Sequence, residues 1–191
     1  MKRQLCLRTA LLVLMLAALP ASAQDQPAEG MEGMPPMGPP AEMQALASMV
    51  GTWDAASEMR MDPDSAFMPF TGVTQFSYVA GGACMQMTFT TEMMGMPFNG
   101  VGMTAYNRET GEWTETWVDN MGGYMSVYRG KMTDGKKVLT GQDYMMGQVW
   151  ETRITTSNIT PTSFNWQMEH SKDGGKTWAV YMKSVYTKRA G

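Results

Sequence analysis

The sequence predicts an all-β protein: an antiparallel up-and-down β-barrel of about ten strands behind a short N-terminal helix, with a β-sandwich as the alternative. Three observations point there. Ten runs rich in aromatic, β-branched and Met residues follow one another at 51–61, 70–78, 83–91, 98–107, 112–120, 124–132, 137–144, 148–157, 163–171 and 178–187. The links between them carry turn chemistry, such as Asp62-Pro63-Asp64, Gly81-Gly82, Gly122-Gly123, Asp134-Gly135 and Asp173-Gly174-Gly175. No helical periodicity interrupts the series, so hairpins succeed one another as a meander. Closing that meander removes edges that would otherwise pair with other chains.

Residues 1–23 read as a secretory signal peptide. Lys2, Arg3 and Arg8 form the basic start, 10–19 the apolar core, and Ala21-Ser22-Ala23 the small-residue cleavage site. The apolar run is shorter than the roughly 20 residues that span a bilayer, so no membrane insertion is expected after cleavage. Cleavage leaves 12 basic and 18 acidic residues, a net charge of −6, which disfavours nucleic acid and anionic membrane surfaces as partners. It also removes Cys6, so Cys84 stays as a single thiol without an internal disulfide partner. The expected address is the periplasm or the medium.

Residues 24–40 form a Met/Pro/Gly-rich link with little that can pack, expected to be disordered. Met31, Met34 and Met37 recur there at every third position, and thioethers suit Cu(I). The simpler reading is that this methionine-rich chain uses Met where others use Leu. Beyond residue 23 only Leu46 and Leu139 occur, while Met runs throughout the folded part.

The domain proper is expected over 41–191. Met43, Leu46, Ala47 and Val50 have the 3,4 spacing of a short amphipathic helix, which Gly51 stops before Thr52-Trp53 opens the first strand. The clearest hairpin is 95–120. Its first strand holds Gly100 and Gly102 on one face, as at a barrel corner or a close backbone approach. Its second strand sets Trp113, Glu115, Trp117 and Asp119 on one face. Further on, Phe164, Trp166, Met168 and His170 share a face opposite Asn165, Gln167 and Glu169, and should turn inward. The inward sets of the flanking runs should be Trp150 with Ile154, and Trp178 with Val180 and Met182. Trp113, Glu115, Trp117, Asp119, Trp150, Trp166, Met168 and His170 are thus the candidate lining of an internal ligand pocket, with His170 near one rim.

Catalytic signals are absent from the sequence, and no enzyme activity is expected. His170 is the only histidine, which excludes paired-His zinc motifs. No Gly-x-Ser-x-Gly elbow and no phosphate-binding glycine loop occurs. Glu115 and Asp119 would lie about 13 Å apart along one strand, beyond the reach of a glycosidase pair. Cys84 falls on the face of Gln86 and Thr88, with no basic sequence neighbour to activate it, and an inert buried thiol is expected.

Two resemblances add to this reading. A helix running into Gly51-Thr52-Trp53 resembles the entrance of the calycin barrels, which include the lipocalins. Leu46 to Trp53, Gly81-Gly82, Gly95 to Phe98 with Gly100 and Gly102, Tyr106, Trp117-Val118-Asp119, Arg153 and Tyr186 to Arg189 together resemble an exported bacterial family, domain of unknown function 1579. That resemblance implies a calycin-like barrel and no particular activity; where the family shows a Gly-Gly-Arg-aromatic pattern, this chain has Ala83-Cys84. The stretch Ser171 to Trp178 is similar to the Asp-box of sialidases, here a single copy and so a structural hairpin in which Asp173 bonds local backbone and Trp178 covers the turn.

Three functions fit these observations. The first is non-catalytic binding of a small apolar or amphipathic ligand in the barrel, with no resident cofactor. The second is a cell-envelope structural or interaction protein without ligand. The third is a haem or Cu(I) binder through His170 or the Met-rich tail; some calycin barrels hold haem through one histidine.

Overall fold

Alternation of residue type along each run becomes alternation of burial. In β1 (Gly51–Met59), Trp53, Ala55 and Ser57 are buried while Asp54 and Ala56 face out. The structure is a computed structural model that describes residues 37–145 and 147–190. The expected signal peptide at 1–23, and the part of the link that carries Met31 and Met34, lie outside the described residues.

Nine more strands follow: β2 (Met68–Val79), β3 (Cys84–Met93), β4 (Met96–Asn107), β5 (Glu112–Asp119), β6 (Ser126–Thr133), β7 (Lys136–Met145), β8 (Gln148–Ser157), β9 (Ser163–Ser171) and β10 (Ala179–Lys188). Each pairs antiparallel with the next, and β1 closes on β10 with Trp53 opposite Lys188 and Met59 opposite Met182. The result is the ten-stranded closed barrel rather than the sandwich. The antiparallel order puts the turns after β2, β4, β6 and β8 at one end, called the upper end, together with the N-terminal helix.

That helix (Ala41–Met49) is a 3-10 helix that stoppers the upper end. Three residues per turn put every third side chain on one face. Met43, Leu46 and Met49 are accordingly buried, while Ala47 and Val50, expected inside on an α-helical period, face solvent. Side chains of the barrel hold its carbonyls. Tyr78 Oη donates to Met43 O at 2.5 Å, Trp53 Nε1 to Met49 O at 2.6 Å and Lys188 Nζ to Ser48 O at 2.9 Å. Below it, Trp53 and Phe76 meet Phe164 edge-on, and Tyr186 stacks on Phe164 at 4.3 Å between ring centroids.

The inward glycines make room for rings. A side chain on Gly100 would start 2.1 Å from Trp117 Cζ2, and one on Gly72 would start 2.4 Å from the Phe89 ring. The expected close approach at Gly100 is therefore made by an indole from β5.

The last strand corrects one expectation. A register shift falls between Val180 and Met182, so Tyr181 turns into the core while Val180 sits opposite the outward Glu169. Trp178 precedes β10 and lies on the outer surface over the Arg153 guanidinium, 4.4 Å from ring centroid to Cζ. One bulged residue reverses the faces N-terminal to it, which is why Trp178 and Val180 leave the inward set.

The β9–β10 turn has the expected local bonding. Asp173 Oδ1 accepts from Lys176 N (3.0 Å), Thr177 N (2.9 Å) and Ser171 Oγ (2.7 Å), while Trp178 Nε1 donates to Gly175 O at 3.0 Å. Hydrogen bonds from the Thr177 backbone and from the Ser171 and Thr177 hydroxyls pull the Asp173 carboxyl down to about 2. A carboxyl with a lowered folded pKa stabilises above its unfolded value and loses that contribution as pH falls through the folded one. Asp173→Ala is therefore expected to lower the urea midpoint at pH 7. The wild-type advantage should shrink between pH 3.8 and about 2, and an unchanged midpoint at neutral pH would remove Asp173 from this role.

Candidate functional site

Inward side chains fill the barrel, but they carry two separate polar islands. The upper island is an ion pair between neighbours once removed in the sheet. Lys137 on β7 donates through Nζ to Glu115 Oε2 on β5 at 2.5 Å, with side chains 5% and 12% exposed. Thr104 Oγ1 on β4 donates to the same oxygen at 3.3 Å. The pair borders a cavity of about 20 Å³ whose other walls include Leu46 and Met49 of the helix, Met85, Met87, Phe164, Trp166 and Tyr186. That volume holds roughly one water molecule.

The lower island surrounds Asp143 on β7. Ser126 Oγ (2.5 Å) and Tyr128 Oη (2.7 Å) donate to Oδ1, and Thr152 Oγ1 donates to Oδ2 at 2.8 Å. Thr152 has one hydroxyl hydrogen and spends it on Asp143. His170 Nδ1, 2.9 Å from Thr152 Oγ1, is therefore the donor, which assigns its tautomer. Burial lowers the His170 pKa, and the Asp143 charge opposes that shift. Burial and, next, the Asp143 charge raise the Tyr128 hydroxyl far above its ordinary value. Trp150 and Tyr181 enclose the imidazole edge-on, at 5.3 and 4.8 Å between centroids. The Asp143 carboxylate and its neighbours Ser126, Tyr128, Thr152 and His170 Nδ1 are hydrogen-bonded, while Tyr181 Oη, buried beside the imidazole, has no partner among the described residues. His170 is only 4% exposed and does not line the cavity above.

The candidate pocket residues thus separate. Glu115 and Trp166 reach the cavity. Trp113 is buried against Tyr106, ring centroids 5.3 Å apart, and Met168 packs on the core without touching the cavity. Trp117 covers Gly100 and donates through Nε1 to Asp119 Oδ2 at 2.9 Å. Asp119 Oδ1 accepts from Met121 N (2.9 Å) and Gly122 N (2.7 Å), so this carboxylate organises the β5–β6 turn instead of a ligand site. Trp150 and His170 belong to the lower island, and His170, expected near a rim, is only 4% exposed. Met37, the described member of the Met triplet, is solvent-exposed.

Cys84 is half-buried rather than fully enclosed, with Sγ 3.8 Å from Met103 Sδ, and burial raises its pKa. Among the described residues no group of three His, Cys, Asp or Glu side chains could hold a metal ion. No described helix is long and apolar enough to cross a membrane.

Sequence reasoning missed Lys137. Its signal was the face it shares with Leu139, Gly141 and Asp143, a set whose outward alternative would have exposed Leu139.

Outside, an open groove of about 1260 Å³ runs across β7 to β10, β1 and β2. Four of its five charged side chains form two ion pairs, and Lys136 is the fifth. Arg153 grips Glu169 with two bonds of 2.7 and 2.8 Å, and Lys183 meets Glu58 at 2.8 Å.

The family described as "Protein of unknown function (DUF1579)" matches residues 38–188. The chain belongs to this family. The match covers the stopper helix and all ten strands, so the upper island and its cavity lie wholly inside the DUF1579 region. A search of curated proteins finds no relative in sequence. Among solved structures the DUF1579 chain is similar to Rv2717c from M. tuberculosis, with 14% identity over 80% of this chain and 99% of that one, at a TM-score of 0.57. It is also similar to the S-type phycobiliprotein lyase CPES from Guillardia theta, with 10% identity over 78% and 92% of the two chains, at a TM-score of 0.51. At such identities the likeness is one of fold.

Proposed function

We propose that this DUF1579 protein is exported and is a non-catalytic binder of a small apolar or amphipathic molecule, taken into the upper half of the barrel beneath the stopper helix. One observation carries the reading: the Lys137–Glu115 pair is withdrawn from water at the wall of an otherwise apolar cavity. A buried ion pair is a poor way to gain stability, because desolvation offsets its attraction. A few polar groups converging on apolar walls are the ordinary makeup of a ligand site. Leu46, Met49, Met85 and Met87 occupy the space a ligand would take, and three of these four are unbranched, readily repacked thioethers. Occupancy then requires them to yield, with the 3-10 helix as the movable wall. The solved lyase lends this reading only its fold.

The test is a titration of the purified full chain with the neutral fluorophore N-phenyl-1-naphthylamine. Saturable, blue-shifted emission is expected, and Leu46→Ala, which enlarges the cavity, should tighten uptake. No saturable uptake by either protein would favour the second reading, a filled envelope protein, to which the cavity of about 20 Å³ lends support.

A further inference from the structure

We infer that the ligand of the upper cavity is a neutral amphiphile with a hydroxyl or carbonyl oxygen, held by Lys137 Nζ. The inference rests on the binding function proposed above and names the chemistry that site selects.

Hydrogen-bond supply and demand decide it. The Lys137 ammonium carries three N–H donors and no acceptor. One is spent on Glu115 Oε2, and no other acceptor of Nζ occurs among the described residues. Thr104 adds its hydroxyl hydrogen to that same carboxylate oxygen. The site is therefore left with two ammonium N–H donors that lack an acceptor among the described residues. An incoming molecule satisfies it by bringing an oxygen.

Charge decides the rest. Glu115 already neutralises Lys137 at 2.5 Å. A carboxylate head group would bring a second anion into a desolvated space against one cation. An ammonium head would set a second cation beside Lys137. Either leaves a net buried charge, whose desolvation opposes binding. An alcohol, ester or ketone brings acceptor lone pairs without charge, while its hydrocarbon part meets Met49, Met85, Met87 and Phe164.

The experiment is displacement of N-phenyl-1-naphthylamine from the full chain by compounds sharing one twelve-carbon chain: the hydrocarbon, alcohol, methyl ester, carboxylate and ammonium. The alcohol and ester are expected to displace the probe at concentrations about tenfold below the other three, the worth of one added hydrogen bond to a charged donor. Lys137→Met is the direct variant but leaves Glu115 unpaired, so Lys137→Met/Glu115→Met is tested beside it. In the double variant the probe should still bind and the oxygen preference should vanish.

Equal displacement by all five heads, or a preference for the carboxylate or ammonium, would overturn the inference and leave the binding function standing. An oxygen preference that survives in the double variant would remove Lys137 from the role. Failure of the wild-type protein to take up the probe at all would sink both.

Discussion

Lys137→Met is expected to lower stability by about 3–5 kcal/mol, and adding Glu115→Met should restore or exceed the wild-type value. The two side chains are 5% and 12% exposed, and Glu115 has one further partner, Thr104 at 3.3 Å. Removing the ammonium leaves a carboxylate in a space walled by Met, Phe and Trp. That orphaned charge is the source of the penalty, since the pair itself gains little over its own desolvation. Two methionines match the volume of the lost chains and join Met49, Met85 and Met87 around the cavity. For a domain of this size the single substitution should lower the melting midpoint by roughly 6–20 °C, read by circular dichroism. If the single variant melts like wild type, the pair is solvated and the argument for a ligand site at that wall goes with it.

The strands were legible because their signal is local. Period-two alternation and turn residues lie within about ten positions of each other, and ten successive runs without helical pattern leave a closed meander as the economical answer. The Glu115–Lys137 pair has no such signal. Its members are 22 residues apart on strands that are not neighbours, and only closure of the barrel points them at one another. A lysine also reads as a surface residue by default, so the face it shares with Leu139 was outweighed by its type.

The bulge at Tyr181 was hidden for a different reason. Trp178-Ala179-Val180-Tyr181-Met182 alternates plausibly in either register, and one inserted residue exchanges the two faces without altering composition. The helix shows a third kind of miss. Met43, Leu46 and Met49 fit a period of three, and Met43, Leu46, Ala47 and Val50 fit 3.6. What selects the former is contact with the barrel mouth through Trp53 and through Tyr78 and Lys188, the last two far along the chain.

Trp117→Ala is expected to cost about 3 kcal/mol, the lower part of the range for removing a large aromatic, because the indole is only partly buried. The decisive measurement is its coupling to Gly100. Register sets Gly100 opposite Asp119 and Gly102 opposite Trp117, so the indole slants along the sheet to lie over Gly100. Its Nε1 bond to Asp119 Oδ2, at 2.9 Å, fixes that slant, and Asp119 is itself held by the β5–β6 turn. A methyl at Gly100 would begin 2.1 Å from Cζ2, so the ring must leave its place. Gly100→Ala alone should therefore cost about 1–3 kcal/mol by overpacking. With Trp117 already Ala, the same methyl enters a vacated space and should be nearly neutral. A double-mutant cycle by urea unfolding is then expected to give a coupling of roughly 1–2 kcal/mol. Additive losses would mean that the indole does not rest on Gly100, and the glycine would need another reason, such as strand curvature, to stand in the middle of β4.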